Sequence, residues 1–170
     1  GVNMSQLLRS AELALNSVHE AGRAGSLPAY RFFAPQLQTA VEHRRRLEDD
    51  LRHAVLGGDL QLAFQPIVDL QSGTLSGAEA LLRWPHNVRG LISPEVFIPL
   101  AERVGLISEI GRQVLEGACR QVAQWRRDGL DIYVSVNVSV CQIPDELSPE
   151  AILAALQRHA LPAAAMVIEI

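Results

Sequence analysis

Apolar residues recur along this chain with two periods. Leu7, Leu8, Ala11, Leu15 and Val18 fall at helical spacing and give one apolar face. Gly22 and Gly25 end that helix, and Tyr30 to Phe33 reads as a short aromatic strand. One helix and one strand cannot bury a core alone. A second helix is predicted from Pro35 to Leu56, striped by Leu37, Val41, Leu47, Leu51 and Val55 and closed by Gly57-Gly58. The texture then changes. Leu60 to Val68 and Thr74 to Leu82 read as strands, joined by the turn residues Asp69-Leu70-Gln71-Ser72-Gly73. So short a link makes them an antiparallel hairpin, because parallel neighbours need a crossover of a dozen or more residues.

Helices and strands alternate after the hairpin. Ser93-Pro94-Glu95 opens a helix to about Val104, with a capping residue and Pro at the first helical position. Ser108 to Asp128 carries a longer helix whose buried side is Ile110, Val114, Leu115, Ala118, Val122 and Trp125. Ile132 to Ser139 is a strand, Ser148-Pro149-Glu150 opens a helix through His159, and Met166 to Ile170 is a strand. From residue 60 the order is β, β, α, α, β, α, β, which argues for a largely parallel sheet in an α/β fold. An α/β barrel takes about 250 residues; residues 59–170 are under half of one.

Composition narrows the class. The 170 residues are 48% hydrophobic and 20% charged, which excludes disorder, collagen and coiled coil as descriptions of the whole. The net charge of −4 and pI near 5.7 argue against a general nucleic-acid binder. The run His43-Arg44-Arg45-Arg46 does not reverse this. Each arginine has an acid four residues on, at Glu48, Asp49 and Asp50, so the run reads as a solvated, self-compensating helix face. Cys119 and Cys141 are too few for a disulfide scaffold or a structural zinc site and read as reduced, buried packing residues. No apolar run approaches the roughly 20 residues of a membrane span, and no secretory leader pattern opens the chain, so the cytoplasm is the expected compartment. The first residue, Gly1, reads as a cut end.

Three strands carry residues that such strands seldom carry. In Val134-Ser135-Val136-Asn137-Val138-Ser139 the valines take one face and Ser135, Asn137 and Ser139 the other. A buried parallel strand is usually apolar on both faces, so the small polar face is either a satisfied network or a ligand site at the end of a barrel strand. Glu79 ends the second strand, and Glu169 sits within Met166-Val167-Ile168-Glu169-Ile170. Buried alone, such a carboxylate is costly and calls for a cation; on an edge strand it simply faces water. Glu79, Asn137 and Glu169 are all oxygen donors, which suits Mg²⁺ or Mn²⁺ and not zinc.

Glu79-Ala80-Leu81-Leu82-Arg83-Trp84 resembles the motif that names the EAL domain family. It follows Phe64-Gln65-Pro66-Ile67-Val68-Asp69 and precedes Ser93-Pro94-Glu95-Val96-Phe97-Ile98-Pro99-Leu100-Ala101-Glu102, Gly105-Leu106-Ile107, Gly117-Ala118-Cys119, Val136-Asn137-Val138-Ser139 with Gln142, and Val167-Ile168-Glu169-Ile170. The match is collinear over nearly everything from residue 59. It implies an α/β, (β/α)8 TIM-like barrel with one antiparallel strand, of which residues 59–170 form the N-terminal half. It implies metal-dependent hydrolysis of cyclic di-GMP to linear pGpG in bacterial signalling. The alternative is a catalytically inactive cyclic di-GMP receptor or scaffold module. By resemblance Glu79, Asn137 and Glu169 hold Mg²⁺ or Mn²⁺, Gln65 and Arg83 touch the dinucleotide, and Leu82 with Pro99, Ala101 and Glu102 line the ligand groove.

Residues 1–33 resemble the last helix and strand of a GGDEF domain, through Ala11-Glu12-Leu13-Ala14-Leu15, Ala21-Gly22-Arg23 and Tyr30-Arg31-Phe32-Phe33. Residues 34–58 are then a connecting helix. The implied partners are cyclic di-GMP, upstream GGDEF or sensor domains, and a second copy docked on that helix's apolar stripe, with neither DNA nor membrane. The family's later acidic pair, lysine and catalytic glutamate lie beyond Ile170, so the 170 residues alone are expected to be inactive. Cys141 stands where the family often has Arg, and Asn87 follows His86 where Pro is common.

Overall fold

The computed structural model describes residues 4, 11, 12, 15, 35–143 and 147–170, and the chain divides into two units, 1–49 and 50–170. The helix and strand read over residues 1–33 lie outside the described residues, apart from Met4, Ala11, Glu12 and Leu15, which are helical. A helix, α1, spans Pro35–Gly57. Within the first unit Arg44 pairs with Glu48 at 3.7 Å, one helical turn away.

In the second unit the sheet is built from β1 (Gln61–Val68), β2 (Leu75–His86), β3 (Gly90–Ile92), β4 (Tyr133–Asn137) and β5 (Met166–Glu169). The path runs β1-β2-β4-β5, with β3 paired to β2. β1 is antiparallel to β2, as the short turn requires, whereas β2-β4 and β4-β5 are parallel. The turn is closed by Asp69, whose Oδ1 accepts the backbone N–H groups of Gln71 and Ser72 at 3.0 and 2.7 Å.

β2 is longer than its apolar pattern predicts, and β3 is an addition. Trp84, Pro85 and His86 continue the strand and pair with Ile92, Leu91 and Gly90. His86 fixes the intervening turn: its Nδ1 accepts the N–H groups of Val88 and Arg89 at 3.1 and 3.2 Å. Two accepted hydrogen bonds place the ring proton on Nε2, which faces Asp50 Oδ2 at 3.1 Å. Asp50, read from the sequence as a helix-face partner of Arg46, is thus a partner of His86.

Helices α2 (Pro94–Arg103), α3 (Ile107–Arg127) and α4 (Pro149–Arg158) lie where the sequence places them, α3 with its predicted stripe. The two Ser-Pro-Glu openings differ. Ser148 Oγ accepts the Ala151 N–H at 3.3 Å, whereas Ser93 holds the cap position without a side-chain bond. α3 lies against the sheet, and Gly117 lets it come close, since a Cβ there would stand 2.7 Å from Leu62 Cδ1. Ile110, Ala118, Cys119 and Val122 are buried on this side, and Trp125 meets Phe64 edge-on at 5.0 Å between centroids. Trp84 likewise meets Phe97 of α2 at 5.7 Å. α4 ends on Ala160, a non-glycine residue at φ 54°, with the Leu161 N–H reaching back to Leu156 O at 2.9 Å.

Leu51 and Val55 of α1 are fully buried, and Gln113 of α3 donates to the Val55 carbonyl at 2.9 Å. That part of the stripe expected to seat a second copy is used inside the unit.

Candidate functional site

Strand period and register decide which side chains meet. Leu62 and Phe64 face α3, and Trp84 faces α2, so the even-numbered residues of β1 and β2 take the helix side. The register pairs Gln65 with Glu79, Glu79 with Ser135, and Asn137 with Glu169. These residues consequently share the other face. Glu79 lies mid-strand in β2, not at its end, because β2 runs on to His86. It is half-buried, while Gln65, Asn137 and Glu169 are exposed. The floor of this face is closed by Tyr133, whose ring covers Gly77 so closely that a Cβ there would stand 2.6 Å from it.

The three oxygen-donor residues are brought to one end of the parallel strands. Asn137 Nδ2 donates to Glu79 Oε1 at 2.8 Å, and Glu169 is the direct cross-strand neighbour of Asn137. Ser135, between them in register, is 1% exposed, and its Oγ has no hydrogen-bond partner among the described residues. Of the polar face Ser135, Asn137 and Ser139, two members are thus engaged and one buried hydroxyl is left over. Among the described residues no group of three or more His, Cys, Asp and Glu gathers as a metal cluster. Two carboxylates and an amide fit a hard divalent ion that completes its shell with water or phosphate oxygens.

A cavity of about 500 Å³ opens beside these residues. Arg83, Glu102, Asn137, Ser139 and Glu169 line it, with Leu82 and Ile98 supplying apolar wall. Arg83 is half-buried and its Nη1 donates to the Leu82 carbonyl at 3.0 Å, which steadies the guanidinium. Ser139 Oγ donates to Glu102 Oε1 at 2.6 Å and ties the exit of β4 to α2. A larger cavity, about 650 Å³, lies near Asp50, His53, Asp59, Trp84 and His86, of which His86 and Asp50 already engage each other.

Three expectations change here. Ala101 was expected in the ligand groove, yet it is 0% exposed. Phe97, Leu100 and Ala101 form the buried stripe of α2, so Ala101 supports the helix from beneath while Glu102 reaches the cavity. Pro99 is exposed and lies outside the cavity wall. Cys141 is exposed, not a packing residue. It stands in the 3₁₀ turn Val140–Gln142, whose buried member is Gln142. Cys119 is buried, and loss of hydration, with Glu116 nearby, pushes its thiol up to about 11. That removes it as a nucleophile. Gln142 is read from the sequence as a motif residue without a role of its own; the Ser-x-x-Gln spacing from Ser139 is the signal for one.

A family model described as the EAL domain matches residues 48–170. The bifunctional diguanylate cyclase/cyclic di-GMP phosphodiesterase MucR of Pseudomonas aeruginosa is 36% identical over 171 residues, covering 100% of this chain and 24% of MucR. The oxygen sensor protein DosP of Escherichia coli is 37% identical over 154 residues, 87% of this chain and 19% of DosP. Among solved structures, the MucR phosphodiesterase in complex with c-di-GMP superposes with a TM-score of 0.70 at 41% identity, over 74% of this chain and 51% of that one. The FimX EAL domain of Xanthomonas citri with c-di-GMP gives 0.64 at 27% identity, over 77% of this chain and 51% of that one. The chain spans about a quarter or less of these curated relatives and about half of the solved domains. No helix among the described residues is long and apolar enough to cross a membrane.

Proposed function

The chain belongs to the EAL domain family, and from that premise we propose that its gene product hydrolyses cyclic di-GMP to linear pGpG with the help of Mg²⁺ or Mn²⁺. The observation that carries this reading is the convergence of Glu79, Asn137 and Glu169 on one end of adjacent parallel strands, with Asn137 bonded to Glu79 at 2.8 Å. These three residues would hold the ion, which when bound supplies charge neutralisation at the phosphodiester and lowers the pKa of a water.

The chain's own residues supply the rest. Arg83 offers a planar fork to phosphate oxygens. Leu82 and Ile98 give the guanine bases an apolar surface, and Glu102 offers an acceptor for their N–H groups. Gln65, on the adjoining antiparallel strand, places a further amide on the open face. Ser135 contributes an unengaged hydroxyl below them.

Incubating the full-length gene product with cyclic di-GMP and Mn²⁺ tests the reading by chromatography. Linear pGpG should form, Glu79→Ala should abolish it, and the 170 residues alone should give none. Binding without turnover would replace this reading with that of a receptor. Absence of both would overturn it.

A further inference from the structure

Gln142 is 3% exposed, and with Ser135 it makes up the buried polar residues of the described structure. Its amide is engaged at both ends. Nε2 donates to the Ile107 carbonyl at 2.6 Å, at the start of α3. Oε1 accepts the N–H of Ser139 at 2.8 Å, two residues past Asn137. Gly111 provides the slot, because a Cβ at that position would run into Gln142 Nε2. Ser139, held by this bond, turns its hydroxyl onto Glu102 of α2 at 2.6 Å. One buried amide therefore joins the exit of β4, the end of α2 and the start of α3. Glu102, Asn137, Ser139 and Gln142 all border the same cavity.

A leucine would fill such a slot without the penalty of burying an amide. The retained amide needs a role that an apolar residue cannot perform. Fixing the β4 exit needs a donor and an acceptor at opposite ends of one short side chain, which Gln has and Leu lacks. We propose that Gln142 is a positioning residue for the ligand groove. It sets the separation between Asn137 on β4 and Glu102 on α2, and Gly111 is glycine to admit it. This rests on the cyclic di-GMP reading above.

The test is calorimetric titration of cyclic di-GMP, with Mn²⁺, into the full-length gene product and its variants, alongside circular dichroism and turnover. Gln142→Leu should keep its spectrum and cooperative melting, yet bind about tenfold more weakly, since small misplacements of binding groups are amplified in affinity. The loss should appear in KM more than in kcat, and the Ser139 amide should exchange faster with solvent. Gly111→Ala should reproduce the loss, but should add little in a Gln142→Ala background, where the flexible end of Leu147, 2.9 Å from the added Cβ, is the close neighbour left.

Ser139→Ala tests the same linkage without touching the buried amide. It should weaken binding, and Ser139→Thr should restore it. Wild-type affinity within about twofold for both Gln142→Leu and Ser139→Ala, or full additivity of Gly111→Ala and Gln142→Ala, would overturn the proposal. If Gln142→Leu does not fold, Ser139→Ala decides alone. A wild-type protein that binds no cyclic di-GMP would overturn the functional reading and this proposal with it; a binding wild type with unmoved variants overturns the proposal only.

Discussion

The two faces of the sheet are made by the same strands and obey different rules. On the helix side stand Ala78, Ala80, Trp84, Val134 and Val136, none more than 4% exposed. On the other side stand Gln65, Glu79, Asn137 and Glu169, open or half-open to solvent and bonded sparingly. Alternation along a strand thus separates packing from chemistry at single-residue resolution. Val136 packs on the helix side and Asn137 bonds to Glu79 on the other, although both border the same cavity. Ser135 is the exception: it points to the chemical side, yet is as buried as the core.

The comparison breaks most visibly if the helix side proves tolerant. Trp84 is 1% exposed and packs on Phe97 and His86. Trp84→Ala should cost about 3–5 kcal/mol in denaturant unfolding. A smaller effect falls on the helix layer. Glu116 of α3 accepts from His159 Nε2 at 2.8 Å and pairs with Arg158 at the end of α4. The His159 bond first, then the Arg158 bond, hold its carboxyl below the ordinary 4.5. A depressed carboxylate stabilises the fold above its unfolded value and loses that contribution as pH falls through the folded one. Stability should therefore decline on acidification below about 4.5. Glu116→Gln should shrink that decline, as read from unfolding midpoints across the acid range, while ligand affinity at neutral pH stays unchanged. The smallest effect is a gain. Ala160 holds a left-handed conformation at φ 54° in an exposed helix end. Ala160→Gly should stabilise by about 0.5–1 kcal/mol in the same measurement.

Much of this division is visible in the residues themselves. Period two set Asn137 apart from its apolar neighbours, a carboxylate on a strand marked Glu79, and helical spacing picked out Ile110, Val114, Ala118 and Val122. The antiparallel hairpin followed from the length of its turn. Ala101 was also within reach, because Phe97, Leu100 and Ala101 stand at spacing three and four on one helix face. What stayed hidden depends on partners distant in the chain. Asp50 engages His86, thirty-six residues on, and no local pattern separates that from pairing with Arg46. The register that sets Glu169 beside Asn137 is a property of the parallel sheet, not of either strand. The exposure of Cys141 follows from the 3₁₀ turn that buries Gln142 in its place.

The central claim is that the two faces of β4 divide stability from ligand binding. It is tested most directly by measuring cyclic di-GMP affinity in Mn²⁺ and unfolding free energy for Val134→Ala and Asn137→Ala in the full-length gene product, Val134 being fully buried and outside the cavity wall. Val134→Ala should lose about 2 kcal/mol of stability and keep its affinity. Asn137→Ala should stay within about 0.5 kcal/mol of wild type and bind roughly 10–100-fold more weakly. Undiminished affinity in Asn137→Ala would contradict the account.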